Sequence, residues 1–316
     1  MPLTHLEHPE DTILTGDLSV FDLMYERDSN ISVKIDGCPG IVWGTNPENG
    51  KWFVGTKSVF NKKKIKICYE VEDIFSLYSV DTHAELIEVL CACYLNLPET
   101  DGGYQGDFIG FGGSDTYLPN TIRYDFPELV EENIIIAPHT YYVGDILNQM
   151  EPLPLEGDLI STDKCLFVQP TVDRVVGDIS PLMINADGIK FLSKKDAADA
   201  KKCINALIAA GQELTDEVLT HILGCNKLAN LYQLAIEIKE DLIDSMIVYG
   251  CPKAHINGEQ INQEGFVMVN KYGMIKLVDR EVFSYANFTQ GKFSWLINSS
   301  KAWTQMNLNS LWRSVK

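Results

Sequence analysis

The feature that most constrains how this chain can fold is a change of hydrophobic period past its midpoint. From Ser193 to about Tyr249 apolar residues recur at helical spacing. Ala197, Ala198, Cys203, Ile204, Leu207 and Ile208 lead up to Gly211, and Thr215–Leu223 and Lys227–Val248 continue the pattern. Ser193 suits an N-cap, so the block reads as three helices. Both flanks read differently. Ile31–Ile35 alternates as a strand does, Cys38-Pro39-Gly40 turns, and Ile41–Trp43 reads as a second strand. The strong turn signal Asn46-Pro47-Glu48-Asn49-Gly50 then leads to a third at Trp52–Val54. Further strands are predicted at Phe108–Phe111, Thr121–Tyr124, Ile134–Ile136 and Thr140–Val143, after one helix over Asp81–Leu95 capped by Asp81. Beyond Cys251-Pro252, strand patterns return at Phe266–Val269 and Met274–Val278. A helical block between two β-rich parts is a separate domain or an insertion. An insertion is preferred, because the motifs below draw on both flanks for one site.

At 316 residues the chain can bury a large core, and 45% hydrophobic against 22% charged residues is a globular composition. No apolar run approaches a membrane span, and the start MPLTHLEHPEDT lacks the basic-then-apolar order of a signal peptide. The expectation is a soluble cytoplasmic protein. Eight cysteines (Cys38, Cys68, Cys91, Cys93, Cys165, Cys203, Cys225 and Cys251) show no CxxC spacing and read as free buried thiols in a reducing compartment. The six histidines are scattered too, which argues against zinc. The net charge of −18 would repel a phosphate backbone, so any nucleic-acid contact must be local. Two segments run against the acidity. Asn61–Lys66 carries four Lys in six residues; it either grips phosphates or is a solvated strand edge. Val282–Lys316 has no acidic residue and interleaves Lys292, Lys301, Arg313 and Lys316 with Phe283, Tyr285, Phe288, Phe293, Trp295, Trp303 and Trp312. That mixture suits base stacking, or packing of the tail onto the core.

The sharpest motif is Lys34-Ile35-Asp36-Gly37, at a strand end entering a turn. A lysine there can attack phosphorus only when neutral, which requires burial or neighbouring cations to lower its pKa. The glycine lets the chain pass close to a ligand. Downstream, in order, come Thr56-Lys57-Ser58, Tyr104-Gln105-Gly106-Asp107-Phe108, Pro119-Asn120-Thr121-Ile122-Arg123-Tyr124, Glu264-Gly265-Phe266-Val267 and Met274-Ile275-Lys276-Leu277-Val278-Asp279.

This ordered series, over about Ile31 to Asp279, resembles the covalent nucleotidyltransferase superfamily of ATP-dependent RNA and DNA ligases and mRNA-capping enzymes. It is most similar to virus-encoded RNA-ligase-like proteins. The resemblance implies an α+β, antiparallel-sheet nucleotidyltransferase domain (ATP-grasp-like) from residues 1–192 and 251–281. A helical insertion at 193–250 and a basic aromatic tail at 282–316 packed on the core would complete the chain. It implies ATP and Mg²⁺ as cofactors, RNA or nicked nucleic acid as partner, and the host cytoplasm as location if the source is viral. Lys34 would carry AMP as a phosphoramidate, with Asp36 and Gly37 completing its turn. Lys57 matches the basic motif that contacts ribose or acceptor phosphate. Asp107 falls where the family has a Glu that binds the ribose hydroxyl, one methylene shorter. Asp145, in Tyr142-Val143-Gly144-Asp145, reads the same way, but Asp107 is favoured by its distance from Tyr124, which would stack on the base. Glu264 matches the carboxylate holding a metal, and Lys276 the last lysine that neutralises the α-phosphate. Where the family has a second lysine this chain has Val278; Lys271 is the candidate substitute.

The expected activity is that of an ATP-dependent polynucleotide ligase, most naturally of RNA, through a lysyl-AMP intermediate. A guanylyl- or adenylyltransferase with another acceptor is the alternative that the acidic surface favours. A non-catalytic nucleotide-binding protein of the same fold is the one that Val278 and Asp107 favour.

Overall fold

The computed structural model describes residues 6–175, 186–261 and 264–280; the tail reading for 282–316 lies outside them. In chain order the elements begin with helices α1 (Pro9–Thr12) and α2 (Ser19–Tyr25), strands β1 (Asn30–Val33), β2 (Gly40–Thr45), β3 (Trp52–Gly55) and β4 (Ile67–Cys68), then helices α3 (Val71–Leu77) and α4 (Val80–Asn96). Strands β5 (Gly103–Phe111), β6 (Thr116–Tyr117), β7 (Arg123–Asp125), β8 (Ile134–Val143), β9 (Glu151–Pro154), β10 (Cys165–Phe167) and β11 (Thr171–Arg174) follow. Helices α5 (Lys194–Ala209), α6 (Asp216–Leu223) and α7 (Asn226–Asp244) come next. The last strands are β12 (Met246–Tyr249), β13 (Lys253–Ile256), β14 (Glu259–Ile261), β15 (Gly265–Asn270) and β16 (Gly273–Val278).

The fold is α+β. A seven-stranded sheet runs β10-β8-β5-β2-β3-β4 with β9 added on β8, and only the β10–β8 pairing is parallel. A three-stranded sheet β1-β15-β16, a four-stranded sheet β14-β13-β7-β6 and the ribbon β11–β12 are antiparallel. Helices α3 and α4 cover one face of the large sheet through Ile74, Ile87, Leu90 and Cys93 against Trp43, Phe108 and Ile136. The opposite face meets the four-stranded sheet in a second core of Ile109, Ile135 and Ala137 against Tyr124, Ala254 and Ile256. Ile35 and Val278, from the ends of the three-stranded sheet, complete that core.

The helical block sits between β11 and β12, which pair with each other. It has no core of its own. Ile204, Leu219, Leu228, Tyr232 and Leu242 share one cluster with Leu14 and Phe21 near the N-terminus and with Phe266, Met268, Ile275 and Leu277 of the three-stranded sheet. Ser193 and Thr215 cap α5 and α6, accepting from Asp196 N–H and Val218 N–H. Two boundaries differ from the sequence reading. The last helix stops at Asp244, and Met246–Tyr249 is a strand because its β-branched Ile247 and Val248 pair with Asp173 and Val172. Helix α4 is capped by Ser79, with Asp81 inside its first turn. The paired readings at Ile134–Ile136 and Thr140–Val143 are one strand. Gln105 pairs with Thr140 and Gly106 with Pro138, so His139 bulges out and the proline lies at an irregularity, where its missing N–H is tolerated. Of the cysteines, Cys38 and Cys203 are exposed, Cys225 and Cys251 partly so, and the other four buried.

A buried ion network ties the N-terminus to the helical layer. Lys239 donates to Glu10 at 2.9 Å. Arg280, just past β16, donates to Asp11 (2.9 Å), Asn205 (2.6 Å) and the Tyr232 hydroxyl (3.1 Å). Removing one partner leaves an uncompensated buried charge, so Lys239→Met should cost about 3–5 kcal/mol in denaturant unfolding. The double variant Lys239→Met/Glu10→Leu should recover a large part of that loss. A single variant within about 0.5 kcal/mol of the parent would show that the pair carries no such role.

Candidate active site

The site begins with the register of the three-stranded sheet. Ile31 and Val33 of β1 pair with Met268 and Phe266 and face the helical core. Alternation therefore puts Ser32 and Lys34 on the opposite face. On β16, Ile275 and Leu277 face the core, which puts Lys276 and Val278 on the face of Lys34. Lys34 N–H donates to the Gly265 carbonyl at 2.8 Å. Gly265 is obligatory: its φ is +145°, and an added Cβ would lie 2.2 Å from the Leu277 carbonyl oxygen. The turn before it delivers the Glu264 carboxylate to the Lys34 ammonium at 2.6 Å, with Asp36 on the same ammonium at 2.7 Å.

The Asp36–Gly37 loop is pinned from three sides. Asp36 N–H donates to the Tyr124 hydroxyl (2.9 Å), and Asn120 Nδ2 donates to the Asp36 carbonyl (3.1 Å). Gly37 N–H donates to Asp107 Oδ2 (3.4 Å). Gly37 packs against β5, where a Cβ would meet the Phe108 carbonyl oxygen at 2.4 Å. Its missing side chain serves this close backbone approach, so the expectation that it makes room for a ligand is corrected.

Residues far apart in sequence thus converge: Lys34, Asp36, Gly37, Asp107, Tyr124 and Glu264 are linked by hydrogen bonds, and Lys276 shares the sheet face. Two expected roles change. Tyr124 is fully buried and uses its hydroxyl in the loop wall, so it offers no ring face for a base to stack on. Lys271 lies in the β15–β16 turn at the far end of the hairpin, paired with Glu26, and cannot replace the missing second lysine. Arg280, a further cation that acts on Lys276, is locked in its own network. Asp145 is exposed past the end of β8, well along the strand from Asp107. Lys57 is exposed, two residues beyond the end of β3, at the start of the 3-10 turn Lys57–Phe60, and no contact with the Lys34 group brings it into the site.

The electrostatics also correct an expectation. Burial favours the neutral amine at Lys34, but Glu264 and Asp36 outweigh it and hold the amine above the ordinary lysine value. Lys276 is lowered, first by burial and then by Lys34 and Arg280. Glu264 is raised to about 7 by burial and by the negative charges of Asp36 and Asp107, against the pull of Lys34. Its second oxygen, Oε2, is buried with no hydrogen-bond partner. His8, which nothing in the sequence pattern marks as functional, is lowered to about 2 by burial and by Lys276, Arg280, Lys239 and Lys34. Its segment runs beside β16, where Lys276 N–H donates to the Glu7 carbonyl.

A family profile described as a family of unknown function (DUF6267) matches residues 4–223 and 183–292. The chain belongs to that family. No curated protein and no solved structure matches it. The match covers both strands of the Lys34–Glu264 pair and the whole helical layer between them. Among the described residues no helix is long and apolar enough to cross a membrane, and no group of three or more His, Cys, Asp or Glu is placed to hold a metal ion.

Two outcomes follow from this geometry. Gly37→Ala must displace the Phe108 backbone and should cost about 1–3 kcal/mol, read by denaturant unfolding. Glu264 has a folded pKa raised from 4.5 to about 7, so the stability it gives is complete below its unfolded value and is lost as pH rises through the folded one. The melting temperature of Glu264→Gln relative to wild type should therefore climb between about pH 5 and about pH 8. A constant difference across that range would remove burial as the cause of the shift.

Proposed function

We propose that this chain is a nucleotidyltransferase of the ligase type that takes AMP from ATP onto Lys34 and passes it to an acceptor, of which the 5′-phosphate of an RNA is the first candidate. The observation that carries the reading is the Lys34–Glu264 contact of 2.6 Å, made by residues 230 positions apart, with Lys276 on the same sheet face. Three cationic or carboxylate groups drawn from two β-rich flanks onto one face are more than sheet packing requires. Phosphoryl chemistry needs such an arrangement: a nucleophile, fixed cations for the α-phosphate, and carboxylates for a divalent metal.

The residues present fit Mg²⁺. Glu264 offers a buried oxygen with no partner, and Asp36 is a second oxygen donor at the same lysine. A bound Mg²⁺ would neutralise phosphate oxygens. The protein's own part is to orient Lys34 through the Gly265 carbonyl, to hold its loop through Tyr124 and Asn120, and to set its protonation through Asp36 and Glu264. In the reaction the Lys34 amine would lose its proton, form a bond from Nζ to the α-phosphorus and expel pyrophosphate.

A second reading keeps the site and drops the chemistry. The two carboxylates that hold Lys34 protonated, and Val278 where a second lysine would lie, favour a nucleotide-binding protein without transfer activity.

The test is intact mass after incubation with ATP and Mg²⁺. One AMP adduct is expected, lost in Lys34→Ala. A GMP adduct from GTP would select capping-type chemistry. Nucleotide binding with no adduct from either would select the second reading. Because Lys34 is held above the ordinary amine value, adduct formation should rise about tenfold per pH unit from about pH 6 to about pH 9. A flat profile would show that deprotonation of Lys34 does not limit the rate.

A further inference from the structure

The connection between β3 and β4 carries charge that the Lys34 site does not use. Lys62, Lys63 and Lys64 stand side by side and exposed, and Lys66 follows, half-buried. No Asp or Glu occurs between Lys51 and Lys66, in a chain with 44 acidic residues and a net charge of −18. Among the described residues none of these four lysines makes an ion pair, although Lys34, Lys201, Lys239, Lys271 and Arg280 all do. The loop is closed at its neck. Lys66 N–H donates to the Ser58 carbonyl (3.3 Å), and Asn61 Nδ2 donates to the Lys64 carbonyl (3.3 Å). Three ammonium groups therefore leave one tight bend with no carboxylate paired to them among the described residues. Like charges held this close repel, so the arrangement costs stability.

Structural duties do not account for it. Lysines on an edge strand block pairing with another chain. β4 is that edge, but it is two residues long, and Lys62–Lys64 lie outside it. Lys66, which adjoins β4, is laid over the Tyr78 ring at 4.1 Å. Solubility is already served by the negative net charge, which a cationic cluster reduces. The base under the loop is firm. Val59 is fully buried and packs with Val42, Phe53 and Tyr142 on the large sheet, and the Phe60 and Tyr142 ring centroids are 4.4 Å apart. Gly40 shares the face of Val42 by alternation, and a Cβ there would come 3.4 Å from Asp107 Oδ1. The lysines are thus mounted on the sheet face that carries Asp107, with exposed amines above a fixed base.

We propose that Lys62, Lys63, Lys64 and Lys66 form a docking surface for a single strand of nucleic acid, held by its phosphates without regard to base sequence. A phosphodiester chain is a regular array of anions, and a run of unpaired ammonium groups matches it by releasing its counterions. Lysine is a point charge on a flexible stem and lacks the planar fork with which arginine reads base edges. Residues 61–65 include no aromatic ring on which a base could stack, so the contacts fall on the backbone. A single strand is thin and flexible and can meet the loop alone. A duplex or an anionic membrane would press a broad negative surface against the rest of an acidic chain. The surface lies apart from Lys34 and does not depend on the transfer reaction.

The experiment is fluorescence anisotropy of a labelled oligouridylate of about twelve nucleotides with the full chain, from about 50 to about 300 mM salt. For wild type, log K should fall against log salt with a slope of about −3, the value for four lysine–phosphate contacts on a single strand. Lys62→Gln/Lys63→Gln/Lys64→Gln should bring the slope to about −1 and weaken binding at the lowest salt by about tenfold or more, with a melting temperature at or above that of wild type because the repulsion is gone. Lys51→Gln, at the other end of β3, should bind within about twofold of wild type. Oligothymidylate of the same length should bind within about threefold of the RNA. Absence of binding at the lowest salt, binding that ignores salt, or a triple variant that binds as wild type overturns the proposal. So does tighter binding of a duplex, of phosphatidylserine vesicles or of polyglutamate of equal charge. Lys34→Ala should bind the strand as wild type does, and the triple variant should form the AMP adduct as wild type does. Strand binding without any adduct therefore supports the docking surface and overturns the transfer reaction alone.

Discussion

Lys34 is tied twice to the turn that carries Glu264. Its backbone N–H donates to the Gly265 carbonyl, and its ammonium meets the Glu264 carboxylate 2.6 Å away. The first bond continues the β1–β15 ladder by one residue, and the second is possible only because of it. The backbone contact fixes the end of β1 beside the start of β15, and Gly265 lets β15 and β16 approach where a Cβ would meet the Leu277 carbonyl. Every other group of the site is measured from this join. Ile35 turns into the core between the sheets, so Asp36 returns to the side of Lys34, and the loop beyond is held by Tyr124, Asn120 and Asp107.

Charge balance around that join is unusual for so acidic a chain. Asp36, Asp107 and Glu264 lie near one ammonium, and the excess of negative charge together with burial lifts Glu264 to about 7. Lys276, Arg280 and Lys239 approach His8 from β16, the segment after it and α7, and burial first, then these cations with Lys34, keep that ring neutral. Carboxylates gathered at Lys34 and cations gathered around His8 thus meet at the three-stranded sheet. Such polarity suits a ligand that brings both anionic oxygens and a metal, and this is the physical content of the proposed nucleotidyl transfer. The same balance holds Lys34 protonated in the free protein, so a transfer reaction would need the ligand to alter it.

The helical layer bears on the site indirectly. It buries the inner face of β1, β15 and β16, and its α7 supplies Lys239 and Tyr232 to the ion network that anchors Arg280 and the N-terminal segment. The nucleotide reading does not require these helices to touch a substrate. They set the register of the sheet that holds Lys34 and Lys276 on one face.

The sequence by itself determined the α+β character, most strands around the site and the three helices after Ser193, while the grouping of Lys34, Asp36, Gly37, Asp107 and Glu264 was what the resemblance implied. These were legible because they depend on local signals: alternation, helical spacing, capping hydroxyls, and Asp-Gly and Glu-Gly pairs at strand ends. Only the tertiary structure decided what those residues do to one another. Tyr124 carries the same aromatic signal whether it faces a ligand or a wall, and its burial is set by β13 and the core between the sheets. The raised amine of Lys34 depends on a carboxylate 230 positions away, which no local pattern records. His139 reads as an ordinary strand residue next to a proline, and only the register shift against β5 brings its ring to Asp107. Periodicity fixes which face of an element a residue takes; long-range pairing fixes its neighbours there, and the chemistry depends on the neighbours.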